Sequence, residues 1–179
     1  MVAQNQRPIG GIHRETHMKD VQTLFPTISF AEDGEALWGL GGLWIIKVSS
    51  EQTGDAFSIL EVRMRQGVGT PLHRHDEDEE TFIVLEGTMA FLAAGKRVDA
   101  GPGDIVYLPA GEIHAWRAES ALARFLIIAT PQHEAFYRDA CKPAPSLEQP
   151  PDAGQIDLSI IVPAGLRHGV QILGPPPAY

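Results

Sequence analysis

Several protein classes are excluded by what this chain has little of. It holds one cysteine, Cys141, in 179 residues, so no intrachain disulfide framework can form, and a reducing compartment is expected. That thiol reads as a small hydrophobe half-buried in a helix. Lys and Arg together number 14 against 23 Asp and Glu, for a net charge of −9, and the cations are nowhere clustered. Nucleic acid and anionic membrane surfaces, which need a basic face, are therefore not expected partners. Long hydrophobic runs are missing too. The longest, "LWII" and "FLIIA", fall far short of the ~20 residues that span a bilayer. The first residues, "MVAQNQRPIGG", lack the apolar segment of a secretory leader. A cytoplasmic location is the resulting expectation. No heptads and no repeats of solenoid period occur.

What is present is an ordinary globular composition, 44% hydrophobic, in a chain long enough for one domain with a real core. Its grammar changes twice. Residues 1–27 are polar and broken by Pro8, Gly10, Gly11 and Pro26, and read as an N-terminal arm. His13 and His17 have helical spacing there, with no third ligand nearby. From 28 to 130 short β-rich runs alternate with turn residues: 43–48, 56–65, 81–87, 89–94, 104–109, 113–118 and 123–129, with "GEALWGLGG" before them. Seven or eight short strands at even spacing predict an all-β sandwich or closed barrel. Residues 131–179 read as a C-terminal helical extension packing on it. "PQHEAFYRDACK" opens on proline and ends on lysine, as an amphipathic helix does. One or two short helices follow up to Gly169, then an extended tail.

The chemistry is concentrated in "GTPLHRHDEDEETFIVLEG", residues 69–87. His73 and His75 lie two apart, so on a strand both project from one face. The acidic run behind them, Asp76 to Glu80, offers a carboxylate. In "ETFIVLEG" the positions Glu80, Phe82 and Val84 share a face, and if the apolar ones point inward so does Glu80. Glu79 is the next candidate, and Asp76 to Glu79 otherwise read as a solvated turn. "GDIVYLPAGEIHAW" supplies a fourth ligand, His114, after a Pro109–Gly111 turn. Three imidazoles and one carboxylate suit one divalent transition metal per chain: Fe, Mn, Ni, Co, Cu or Zn. The alternative, histidines serving only as satisfied polar groups inside a barrel, leaves several buried polar groups each needing a partner that one ion supplies together.

These residues also carry a family resemblance. Gly67-x5-His73-x-His75-x4-Glu80-x6-Gly87, then Gly103-x5-Pro109-x-Gly111-x2-His114, resembles the two motifs of the cupin superfamily. The departure is Ala118, where cupins usually carry Asn. The resemblance implies a small antiparallel double-stranded β-helix, the cupin or jelly-roll barrel, with the ion inside and His73, His75, Glu80 and His114 as ligands. Looser similarity over residues 40–175, including the "LRHGVQILGPPP" ending, is to single-barrel proteins like bacterial quercetin dioxygenases.

That similarity implies oxidative cleavage of a flavonol or similar enol by O2, with Glu80 as the catalytic proton acceptor, monodentate and mobile. Phe82 and Trp116, with Trp38 or Trp44, are expected as an aromatic wall for a flat substrate. His133 and His168 are expected on the surface or in helix packing, and Arg63 and Arg65 on the outer surface or at a dimer contact. A small-molecule substrate, O2 and a homodimeric assembly complete the expectation. An isomerase or decarboxylase of the same fold, or a non-catalytic small-molecule-binding cupin, is the alternative.

Overall fold

A computed structural model describes residues 24–148 and 156–178; His13, His17 and most of the arm lie outside the described residues. Twelve strands and two helices follow in order: β1 (Glu35–Gly39), β2 (Gly42–Val48), β3 (Ser58–Arg65), β4 (Leu72–His75), β5 (Glu80–Glu86), β6 (Met89–Ala93), β7 (Lys96–Ala100), β8 (Ile105–Leu108), β9 (His114–Ala118), β10 (Leu122–Ala129), α1 (Pro131–Ala140), β11 (Lys142–Pro143), α2 (Leu158–Arg167) and β12 (Val170–Gly174). They form two antiparallel sheets, β11-β1-β2-β3-β10-β5-β8 and β12-β4-β9-β6-β7. This is the jelly-roll arrangement that the strand spacing and the motifs imply.

Alternation explains which faces turn inward. In β10 Ala123, Phe125, Ile127 and Ala129 are buried while the residues between them are not. In β5 Glu80, Phe82 and Val84 are the buried set. The inward side chains interlock as an aromatic core. Phe82 meets Phe91 edge-on at 5.1 Å, and Trp116 meets Phe125 edge-on at 5.5 Å, a geometry that adds to simple area burial. Ala118 is fully buried in this core, so the position where cupins usually carry Asn is here a packing position. Gly69 admits no side chain: a Cβ there would stand 2.3 Å from Trp116 O, which lets the chain just before β4 press against β9.

Some elements differ from the sequence reading. β7, "KRVDA", is exposed at four of its five positions, so it has no hydrophobic alternation to read; its charges suit a sheet edge. β12 was expected as part of an extended tail, but pairs antiparallel with β4, Val170 opposite His75 and Ile172 opposite His73. α2, within the one or two short helices expected, is one continuous helix with Pro163 inside it. Among the described residues no helix is long and apolar enough to cross a membrane.

The helices are set by local signals. Thr130 caps α1 by accepting the His133 N–H at 3.1 Å, with Pro131 in the first turn, a favourable start. Thr130 also donates its hydroxyl to Asp78, and Ala129 pairs with Glu80. The first turn of α1 is thereby held beside the start of β5. α2 and β12 close over the same end of the barrel, with Ile161, Val170 and Ile172 turned to the interior.

Candidate metal centre

β4 brings His73 and His75 to the inner face by its alternation, and His73 sits opposite His114 of β9. Glu80 approaches from β5 in the other sheet. All four are buried, His73 at 6% exposure and the others at 2%. One ligand atom from each of His73, His75, Glu80 and His114 lies within 4.8 Å of the others, so the structure brings all four expected residues together. His73 Nδ1 lies 2.9 Å from Pro71 O, and His114 Nδ1 lies 2.9 Å from Glu112 O. A carbonyl only accepts, so in both rings Nδ1 carries the proton and Nε2 is left for the interior.

The electrostatics keep two of the imidazoles neutral. Burial, reinforced by His114, lowers His73 to about 4. Burial and His133 lower His75 to about 2. Burial also pulls His114 down, but its hydrogen bond to Glu80 outweighs that and raises it. For Glu80 burial favours the neutral acid, yet His133, His75 and His114 together hold the carboxyl well below its usual range. Neutral His73 and His75 beside an ionised Glu80 are in the protonation states that metal ligation requires, while His114, which donates from Nε2 to Glu80, would give up that proton to an ion.

The donor set fits an ion on a further observation. Neither ring nitrogen of His75 has a hydrogen-bond partner. A buried imidazole left in that state is costly, and a cation at the centre of the cluster would satisfy it. His73, His75, Glu80 and His114 would hold the ion, and N/O ligation suits Fe, Mn, Ni, Co, Cu or Zn.

Beside the cluster lies a narrow cavity of about 40 Å³, room for a few water molecules. Trp44, Trp116, Phe136 and Tyr137 line it together with Ile156, Ile161, Val170 and Ile172. Trp116 is therefore where the sequence placed it. Phe82 is not: it is fully buried in the core, packed on Phe91, Phe125 and Trp116, and does not line the cavity. Trp38 is not either, because in β1 it is Leu37 that turns to the core, and Trp38 lines a separate depression with Cys141. Glu79 is exposed and accepts the Tyr107 hydroxyl at 2.9 Å, which removes it from the site. Asp78, expected in a solvated turn, is 5% exposed.

Two residues of the site went unread. His133, expected on the surface or in packing, and Tyr137 lie one turn apart on α1. Tyr137 donates its hydroxyl to Glu80 Oε1 at 3.1 Å, and His133 Nδ1 is 3.4 Å from the same oxygen. The available signal was the spacing of His133, Phe136 and Tyr137, which puts all three on one helix face directly after the last strand.

Comparison with known proteins agrees with the fold and the motifs. The cupin domain family model matches residues 60–129. Over 114 residues, 63% of this chain and 34% of the other, the sequence is 26% identical to quercetin 2,3-dioxygenase of Bacillus subtilis (strain 168). It is 32% identical over 62 residues to a protein of Aquifex aeolicus (strain VF5), covering 35% of this chain and 51% of that one. The matches thus span only about a third and a half of these relatives. Among solved structures, a predicted oxalate decarboxylase from Thermotoga maritima superposes with a TM-score of 0.52 at 20% identity, over 58% of this chain and 98% of that one. The polyketide cyclase RemF from Streptomyces resistomycificus superposes with a TM-score of 0.50 at 21% identity, over 78% and 92%. At such identities these two show the fold alone. The family match over residues 60–129, the barrel and the buried cluster of three histidines and a glutamate agree, and together they support a cupin domain in this chain.

Proposed function

We propose that this protein is a metal-dependent dioxygenase acting on a small enolic or aromatic molecule, with one divalent transition ion per chain held by His73, His75, Glu80 and His114. The observation that carries the metal reading is His75, buried to 2% exposure with both ring nitrogens unpartnered, 3.4 Å from the Glu80 carboxylate. The oxidative reading is supported by the similarity to quercetin 2,3-dioxygenase and by the aromatic wall beside the cluster.

When bound, the ion supplies a Lewis acid that lowers the pKa of a substrate hydroxyl. The rest falls to the side chains. Glu80 is the only carboxylate lining the cavity among the described residues, and it accepts the hydroxyl proton. Trp44 and Trp116 line the cavity with apolar aromatic surface suited to an aromatic or conjugated substrate, and the aliphatic side chains that line it with them exclude water. The cavity is too narrow for a three-ring flavonol unless the wall of Ile161, Val170 and Ile172 yields. A smaller enol is the substrate class that this geometry favours.

Oxygen consumption by protein loaded separately with Fe(II), Mn(II), Ni(II) or Co(II), against flavonols, catechols and small enols, tests the proposal. Uptake that requires both an ion and one substrate class is expected. No uptake in any combination would overturn the oxidative reading and leave a non-oxidative cupin enzyme or a binding module.

A further inference from the structure

The two oxygens of Glu80 have different surroundings. Oε2 faces the cluster, 3.2 Å from His114 Nε2 and 3.4 Å from His75 Nε2. Oε1 faces α1, where Tyr137 donates to it at 3.1 Å and His133 stands 3.4 Å away. Packing holds Tyr137 in this position. Its ring is stacked between Trp44, at 4.4 Å and 29°, and His133, at 4.6 Å and 24°. The residue is 3% exposed. Asp78 fixes the helix that carries it, through the Thr130 cap.

We propose that Tyr137 is a positioning residue that makes Glu80 a one-oxygen ligand: by occupying Oε1 it leaves Oε2 alone to meet the ion, and so keeps a coordination position open for substrate. This inference rests on the metal reading above. The group that orients the carboxylate comes from the helix after the barrel instead of from the barrel motifs. Without the phenol, Oε1 would be a buried anionic oxygen with only His133 Nδ1, 3.4 Å away, beside it, and the ion would be the stronger compensating charge. Two-oxygen ligation would then fill the position that substrate needs.

Tyr137→Phe removes only the hydroxyl and keeps the ring between Trp44 and His133, so the variant is expected to fold. Both proteins are loaded with Co(II), their visible absorption is recorded, and azide is titrated in as a small anionic probe of the open position. The wild type is expected to bind one cobalt with the strong visible bands of a low-coordinate ion, and to bind azide. The variant is expected to keep one cobalt, to show weaker bands because the coordination number rises, and to bind azide about tenfold less tightly, the lower end of what losing an outer hydrogen-bond partner costs. A variant with unchanged bands and unchanged azide affinity would overturn the proposal. So would a variant that loses cobalt altogether, since Tyr137 would then be needed for binding and not for the mode of ligation. Failure of the wild type itself to hold cobalt would refute the underlying metal reading instead.

Discussion

Replacing His75 by alanine separates the cost of packing from the gain of metal binding. The imidazole is 2% exposed and neither nitrogen has a hydrogen-bond partner. Truncation leaves a void, which for a side chain of this size costs about 2–4 kcal/mol. It also removes unsatisfied buried polar atoms, each of which carries a penalty of about 1–3 kcal/mol. The two effects oppose each other, so metal-free His75→Ala is expected within about 2 kcal/mol of metal-free wild type. Metal changes the comparison. At a free ion concentration 100-fold above the dissociation constant, binding stabilises the folded wild type by about 2.7 kcal/mol. For a chain of this size that is a rise in Tm of about 5–11 °C. Thermal unfolding after chelator treatment, with and without added Ni(II), measures both terms. The wild type should show the shift and His75→Ala should show almost none. An equal shift in the variant, with one ion still bound per chain, would refute the argument.

Glu80→Gln should weaken metal binding at least tenfold, whereas Glu79→Gln, on an exposed residue hydrogen-bonded to Tyr107, should leave it unchanged; competition with a chromogenic chelator reads both, and the reverse ranking would move the ligand to Glu79. Metal-free protein should lose stability as pH falls below 6.5, because unfolded histidines then take protons that His73, at about 4, and His75, at about 2, refuse. His73 alone accounts for about 3 kcal/mol between pH 6.5 and 4. His114, whose pKa is raised, already contributes its full share below 6.5, and Glu80 adds its own loss only below 4.5. Urea unfolding between pH 7 and 4.5 isolates the histidines, and a flat profile would contradict their buried, neutral state. Phe82→Ala should cost about 3–5 kcal/mol by the same assay, and a cost under about 1 kcal/mol would be inconsistent with its full burial.

How much of this was legible in the sequence depended on which physical rule each residue obeys. Glu80 was readable because a strand alternates with period two, so the apolar Phe82 and Val84 fixed its face. His73 and His75 followed from the same rule, and His114 from the turn ahead of it. Alternation gives a face but not a depth, which is why Phe82 was expected in the cavity wall and sits in the core beneath it. In β2 the rule fails outright. Leu43, Trp44, Ile45 and Ile46 are all buried, because the outer face of that strand is covered as well, where Arg63 binds Leu147 O at 3.0 Å. Nothing in "LWII" could show that Trp44, and not Trp38, faces the site. His133 and Tyr137 escaped for another reason. A helix after the last strand declares its apolar face by spacing, but not the surface on which that face docks; the Thr130–Asp78 link that aims α1 at Glu80 joins residues 52 apart in sequence.

The central claim is that four side chains from two sheets hold one ion. Its most direct test is anomalous diffraction at the metal absorption edge from crystals of the metal-loaded protein. The account predicts one peak per chain, about 2.0–2.2 Å from Nε2 of His73, His75 and His114 and from Oε2 of Glu80. A peak elsewhere, or no peak from protein that carries one ion per chain in solution, would contradict it.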